Sequence, residues 1–254
     1  MADPGSSSTN QPVSPPSSSS SSTVAAFPPS LNLYLTSRLA ILARSTFHLG
    51  PHRRSPLHGV TTHQGFSGAP DVVLHASPSS KSPFLATAEF ETPFSEEVLL
   101  TFFVSPPENN NNNLRVTTMT STARPAKDWG RRDWFYSVAE ETGEDGENEE
   151  YVWRHGDGEE EDDDDDGRKG YESGWNLLRR RKMGKSGGEE EVVAFYAYPA
   201  MTMTKKMAFR FVERGGGEGK VEGGWAVAAV VSALGIWELE RRRVAATGSM
   251  MGVA

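Results

Sequence analysis

From Tyr34 onward, apolar side chains recur at every second position in short runs, and clusters of Pro, Gly, Asn and Ser separate one run from the next. That period is the mark of strands with one buried face. It predicts strands over residues 34–42, 44–49, 57–63, 71–75, 84–91, 97–104, 114–120, 134–138, 151–154, 175–182, 191–198 and 207–212. Trp134, Tyr136 and Val138 fall on one face of their run, as do Met207, Phe209 and Phe211 of the last.

One segment breaks the pattern. Over residues 223–244 the apolar residues Trp225, Val227, Val230, Val231, Leu234, Ile236 and Trp237, with alanines between them, leave no polar face on a helix. A helix that is apolar all round is enclosed by protein or by lipid. The apolar run from Trp225 to Trp237 spans about 20 Å as helix, against the ~30 Å of a bilayer core, so enclosure by protein is expected. Ala226, Ala228, Ala229, Ala233 and Gly235 keep the cylinder narrow, and only the strands are left to surround it. The expected fold is therefore mainly β, a roughly twelve-stranded closed barrel around a central apolar C-terminal helix.

Composition adds the flanks. Of the first 30 residues, 11 are Ser and 6 are Pro, too little apolar surface to offset the entropy of ordering. Residues 1–30 are expected as a disordered tail, 31–247 as the barrel domain, and 248–254 as a short C-terminal tail. The net charge of -8 conceals an uneven distribution. Between Glu140 and Asp166 stand 16 acidic residues and one Arg, or -15, which leaves +7 for the remainder. Residues 140–172 are accordingly expected as an acidic, solvated insert. There is no cysteine, which excludes disulfides, thiolate nucleophiles and cysteine-ligated metal centres. No basic-then-apolar leader opens the chain. The expected location is cytoplasmic, with nuclear or peripheral-membrane placement as alternatives.

The string Phe66-Ser67-Gly68-Ala69-Pro70-Asp71-Val72-Val73-Leu74-His75, then Leu85-Ala86-Thr87-Ala88-Glu89-Phe90, and the closing apolar helix from Trp225-Ala226-Val227 to Ile236-Trp237 resemble uncharacterised fungal-type members of one superfamily. It is the tubby C-terminal-like superfamily, which takes in the LURP-one-related proteins and the phospholipid scramblases. The resemblance covers roughly residues 31–245 and implies a barrel around a helix. It also implies a choice of roles, because the superfamily includes binders of lipid headgroups beside members with no known ligand, and fold alone does not select among them.

Motifs for enzymatic chemistry fail on inspection. Gly184-Lys185-Ser186 has Arg179 where a phosphate loop needs glycine, and Gly215 to Lys220 lacks the third glycine of a dinucleotide fingerprint. Asp162, Asp164, Asp166 and Gly167 start like a calcium loop, but Ser173 stands where its bidentate Glu belongs. The six histidines have neither a zinc-protease spacing nor a partner cysteine. What remains is basic: Arg179, Arg180, Arg181 and Lys182 on one strand, and Lys205, Lys206 and Arg210 near another. If the two strands lie close, these seven side chains would form a patch for phosphate groups. The functional expectation is a non-enzymatic binding or scaffold module without cofactor or metal. The alternative is a peripheral membrane module that binds anionic phospholipid, such as phosphoinositide headgroups, through those seven residues. A protein partner is the other expectation, with no nucleic acid and no transmembrane span.

Overall fold

The computed structural model describes residues 26–36, 44–63, 68–92, 94–103, 114–123, 132–139, 148–156, 171–181, 189–199, 202–212, 221 and 223–251. Twelve strands precede one helix: β1 (Ser30–Leu35), β2 (Arg44–Gly50), β3 (His58–His63), β4 (Val72–His75), β5 (Phe84–Glu89), β6 (Glu97–Phe103), β7 (Leu114–Ala123), β8 (Arg132–Ala139), β9 (Asn148–Gly156), β10 (Tyr171–Arg181), β11 (Glu189–Pro199), β12 (Lys205–Phe211) and α1 (Gly224–Met251). Each strand pairs with its neighbours in the chain, and β12 pairs antiparallel with β1 to close the barrel. An even strand number is what lets the first and last strands of such a meander run antiparallel.

A barrel of about eight strands can be filled by side chains alone, and a wider one needs something more in its lumen. Here that is α1, in which every residue from Ala226 to Leu239 is buried. Val227, Val230, Val231, Leu234, Ile236 and Trp237 are all in the core, and Trp225 packs against it from the helix start. The helix lies close to β5 and β6. A Cβ added at Gly235 would stand 3.3 Å from Cβ of Ala88 and 3.6 Å from Cγ1 of Val98. Aromatic rings carried by β8 to β12 fill other parts of the lumen: Trp153 meets Tyr196 edge-on at 5.3 Å and Phe209 at 6.3 Å. The indole N–H of Trp153 donates to Oγ of Ser232 at 2.8 Å, which satisfies a polar group at the centre of the core.

Four boundaries depart from expectation. The first strand is Ser30–Leu35 rather than 34–42, because Leu31 and Leu33 are the inward residues while Asn32 binds the carbonyl of Pro51 at 2.8 Å. Phe27, inside the stretch expected as tail, is fully buried and pairs with Val221 ahead of the helix. The acidic stretch is not one insert, since 148–156 forms β9 and 171–172 begins β10. Its acidic residues fall in the β8–β9 connection, in β9 itself and in the β9–β10 connection, and the two connections leave from opposite ends of the barrel. At the C-terminus, α1 continues to Met251, past the expected end at 244. Lys182, Asn109 to Asn113, Asp162 to Gly167, Gly184 to Ser186 and Gly215 to Lys220 lie outside the described residues.

Candidate functional site: a basic corner beside β3

Of the seven basic residues singled out in the sequence, the six that are described do not form one patch. Arg179, Arg180 and Arg181 of β10 stand opposite Glu191, Glu190 and Glu189 of β11. The Arg180 guanidinium lies 2.9 Å from Glu190, which also takes Arg154 at 2.9 Å, and Arg154 is 3.4 Å from Asp133. These contacts form a charge line across the outside of β8 to β11. Hydrogen bonds from Arg154 and then Arg180 hold the Glu190 carboxyl below its ordinary range. Arg179 turns the other way, into the barrel mouth, where its guanidinium lies 5.3 Å from the Trp225 ring and 5.8 Å from that of Tyr151, with Glu149 at 3.5 Å. Its charge is spent within the fold.

Lys205, Lys206 and Arg210 are elsewhere. On β11, Glu190 is level with Arg180 while Ala197 is level with Ala208, so Lys205 and Lys206 stand more than about 20 Å along the strand from Arg180, at ~3.3 Å per residue. Lys205 and Lys206 sit at the end where α1 leaves the barrel, and Arg179 to Arg181 at the end where it enters. Arg210 is midway, level with Phe195. The patch fails because β11, which lies between, carries its own acids.

The exit end is locked by ion pairs. Glu238, fully buried, accepts from Arg241 at 2.7 Å and from Arg242 at 2.8 Å. Arg242 also binds Asp71 and the carbonyl of His63, and its guanidinium lies 4.6 Å from the Phe90 ring. Asp71 in turn accepts from the Phe90 amide at 2.8 Å. Beside this latch, Glu240 takes a hydrogen bond from the Tyr198 hydroxyl, and burial pushes its carboxyl above the ordinary range. The arrangement fixes the helix rather than offering a site.

Exposed basic groups also lie around β3. Residues 36–88 contain five Lys or Arg and one Asp, a balance of 5 − 1 = +4, and five of the six histidines. His52, Arg53 and Arg54 are exposed in the tight β2–β3 turn, which closes with the Ser55 amide donating to the His52 carbonyl at 3.0 Å. Lys81 is exposed in the β4–β5 connection. Both connections flank the start of β3, and the second is tied to it by the Gly59 amide donating to the Ser77 carbonyl at 2.8 Å. Gly50 is needed here, because a Cβ would fall 2.4 Å from the Ser55 carbonyl oxygen. Leu57 and Phe84, about two-fifths exposed, flank the same corner.

Histidines stiffen this region. The ring of His75 donates from Nδ1 to the Ser82 carbonyl at 3.0 Å, so in the neutral ring Nε2 accepts from the Thr61 hydroxyl at 3.2 Å. His63 Nε2 lies 3.4 Å from the same hydroxyl. His58 is buried against Phe27 and donates from Nδ1 to the His75 carbonyl at 3.0 Å; burial holds its pKa below the ordinary value. Among the described residues, no group of three or more His, Asp or Glu is placed to hold a metal ion.

Sequence reasoning passed over this corner because its basic residues are scattered singly and in a pair. The signal that could have found it is the near-absence of acid between Thr36 and Ala88. Comparison of the chain with known protein families, with curated proteins and with solved structures gives no match. Among the described residues, no helix is long and apolar enough to cross a membrane.

Proposed function

We propose that the protein is a non-enzymatic binding module that engages an anionic partner through the corner built by His52, Arg53, Arg54 and Lys81. The observation that carries this reading is the filled lumen. With α1 enclosed from Ala226 to Leu239, the barrel is not a cup for a ligand of the kind wide empty barrels hold, so recognition falls to its outside and its connections. On that outside, Arg154 and Arg180 are neutralised by carboxylates, whereas the β3 corner carries exposed cations in a stretch poor in acid.

A second reading names the partner as anionic phospholipid, moved from the residues the sequence suggested to this corner. Its specific support is Leu57 and Phe84, exposed apolar side chains beside the cations, the pairing that lets a surface meet headgroups and the acyl boundary together. Kinship with the tubby-like superfamily belongs to this proposal and rests on the strings around Val72 and Ala86 and on the closing helix.

The test is retention of the full chain on vesicles with and without phosphoinositide, and on an immobilised anionic polymer, at two salt concentrations. Salt-sensitive retention lost in Arg53→Glu/Arg54→Glu but kept in Arg180→Glu supports the corner. Retention on the polymer alone favours a non-lipid anion, and retention unaffected by the double substitution overturns the assignment.

A further inference from the structure

The described residues contain four Ser-Pro or Thr-Pro pairs: Ser55-Pro56, Ser77-Pro78, Ser82-Pro83 and Thr92-Pro93, whose proline itself is not described. They share a motif but not an environment. Ser82 Oγ donates to the Ser79 carbonyl at 2.8 Å and accepts from the Ser77 amide at 3.2 Å, so that hydroxyl is bound into the β4–β5 connection. Ser77 is half-buried there and its Oγ accepts from the Ser79 amide at 3.4 Å. Thr92 is exposed, but its Oγ1 accepts from the Phe94 amide at 3.3 Å and Glu91 precedes it. A phosphate there would meet like charge.

Ser55 differs on each count. It is exposed, two exposed arginines directly precede it, and no acid lies between Thr36 and Pro70. The turn that carries it is held by few backbone bonds, chiefly Ser55 N–H to His52 at 3.0 Å and Leu57 N–H to Leu49 at 2.9 Å, so opening it to a second protein is a local event. A phosphate on Ser55 would sit beside two guanidinium groups, the partners that bind phosphate in paired hydrogen bonds.

We propose that Ser55 is a phosphoacceptor for a serine/threonine kinase that reads proline after the target, and that Arg53 and Arg54 hold the phosphate once it is attached. In the step, Ser55 Oγ forms a bond to the γ-phosphorus of ATP and gives its proton to the kinase base. The bond from that phosphorus to the bridging oxygen breaks and ADP leaves. The product carries close to two negative charges in the middle of the basic corner. This consequence rests on the binding reading above; the modification itself does not.

The experiment treats the full chain with a proline-directed kinase and ATP and locates phosphate by site-resolved peptide fragmentation, beside a synthetic peptide covering residues 48–62. The expected result is phosphate on Ser55 ahead of Ser77, Ser82 and Thr92, absent from that position in Ser55→Ala. Label at any of those three before Ser55, or a peptide accepted while the folded chain is not, overturns the proposal. A peptide refused as well as the chain overturns it at the level of the motif. The labelled chain is then applied to the anionic supports. Retention unchanged with Ser55 occupied counts against the corner as the binding site, and leaves the modification standing.

Discussion

The guanidinium of Arg242 lies 2.7 Å from Asp71 Oδ1 although the two residues are 171 positions apart. One is on α1 three residues past its enclosed stretch and the other immediately precedes β4, so this contact fastens the plug to its barrel. Both side chains are largely shielded from water, where removal of one partner leaves the other charge without compensation. Arg242→Ala is expected to lower unfolding free energy by about 3 kcal/mol, read as a shift in the urea midpoint. An Arg241→Ala change, at a side chain 41% exposed, is expected to cost less than about 1 kcal/mol. Equal effects would mean that the Asp71 arm contributes nothing.

Ser232 accepts the Trp153 indole N–H at 2.8 Å, and its own hydroxyl donates to the Ala229 carbonyl at 3.0 Å. Ser232→Ala leaves a buried N–H unsatisfied and is expected to cost about 1–3 kcal/mol. Ser232→Ala combined with Trp153→Phe is expected to cost less than the sum of the two single changes. Additive effects in that double-mutant cycle would show that the hydrogen bond carries no coupling.

Val231 and Leu234 have no exposed surface. Leu234→Asp or Val231→Asp places an unpaired charge in the lumen, at several kcal/mol against a total stability of about 5–15 kcal/mol. The expected result is a chain without a cooperative thermal transition. A soluble Leu234→Asp protein that melts sharply would mean that the helix is not held inside.

Two buried groups give stability opposite slopes with pH. The folded-state pKa of His58 lies below its ordinary 6.5, chiefly through burial. As pH falls below 6.5 the unfolded chain takes up the proton first, and stability is lost until the folded-state value is passed. Comparing urea midpoints at about pH 7.5 and about pH 5.5, His58→Gln is expected to lose less stability than the unaltered protein. Glu240 is the reverse case. Its folded-state pKa lies above 4.5 through burial, so stability falls as pH rises from 4.5 through that value. Glu240→Gln is therefore expected to be more stable than the parent at neutral pH, an advantage that disappears in acid.

The strands were legible because each buries one face, and alternation in Arg132–Ala139 or Lys205–Phe211 is written directly into neighbouring residues. The helix was legible for the opposite reason, having no polar face to misplace. What could not be seen was pairing. Arg179, Arg180 and Arg181 read as a basic run, and only the register of β10 on β11 shows that Glu191, Glu190 and Glu189 stand across from them. The β1 boundary slipped because Leu31 and Leu33 follow a Ser/Pro stretch, while their burial depends on contacts with β2 and β12 that local sequence does not reveal. The β3 corner escaped because its cations come from two connections that only the fold brings beside one strand.

Closure of β1 on β12 around a helix that follows both has a consequence for synthesis. Emerging N-terminus first, the chain presents its inward Leu, Val and aromatic residues strand by strand, with nothing to cover them until Ala226 to Leu239 appears. The seam between β1 and β12 joins segments nearly the whole domain apart, the kind of contact that forms slowly. Nascent strands must therefore stay open, or sealed reversibly, while the plug is still being translated, which makes the unfinished barrel a natural client for chaperones.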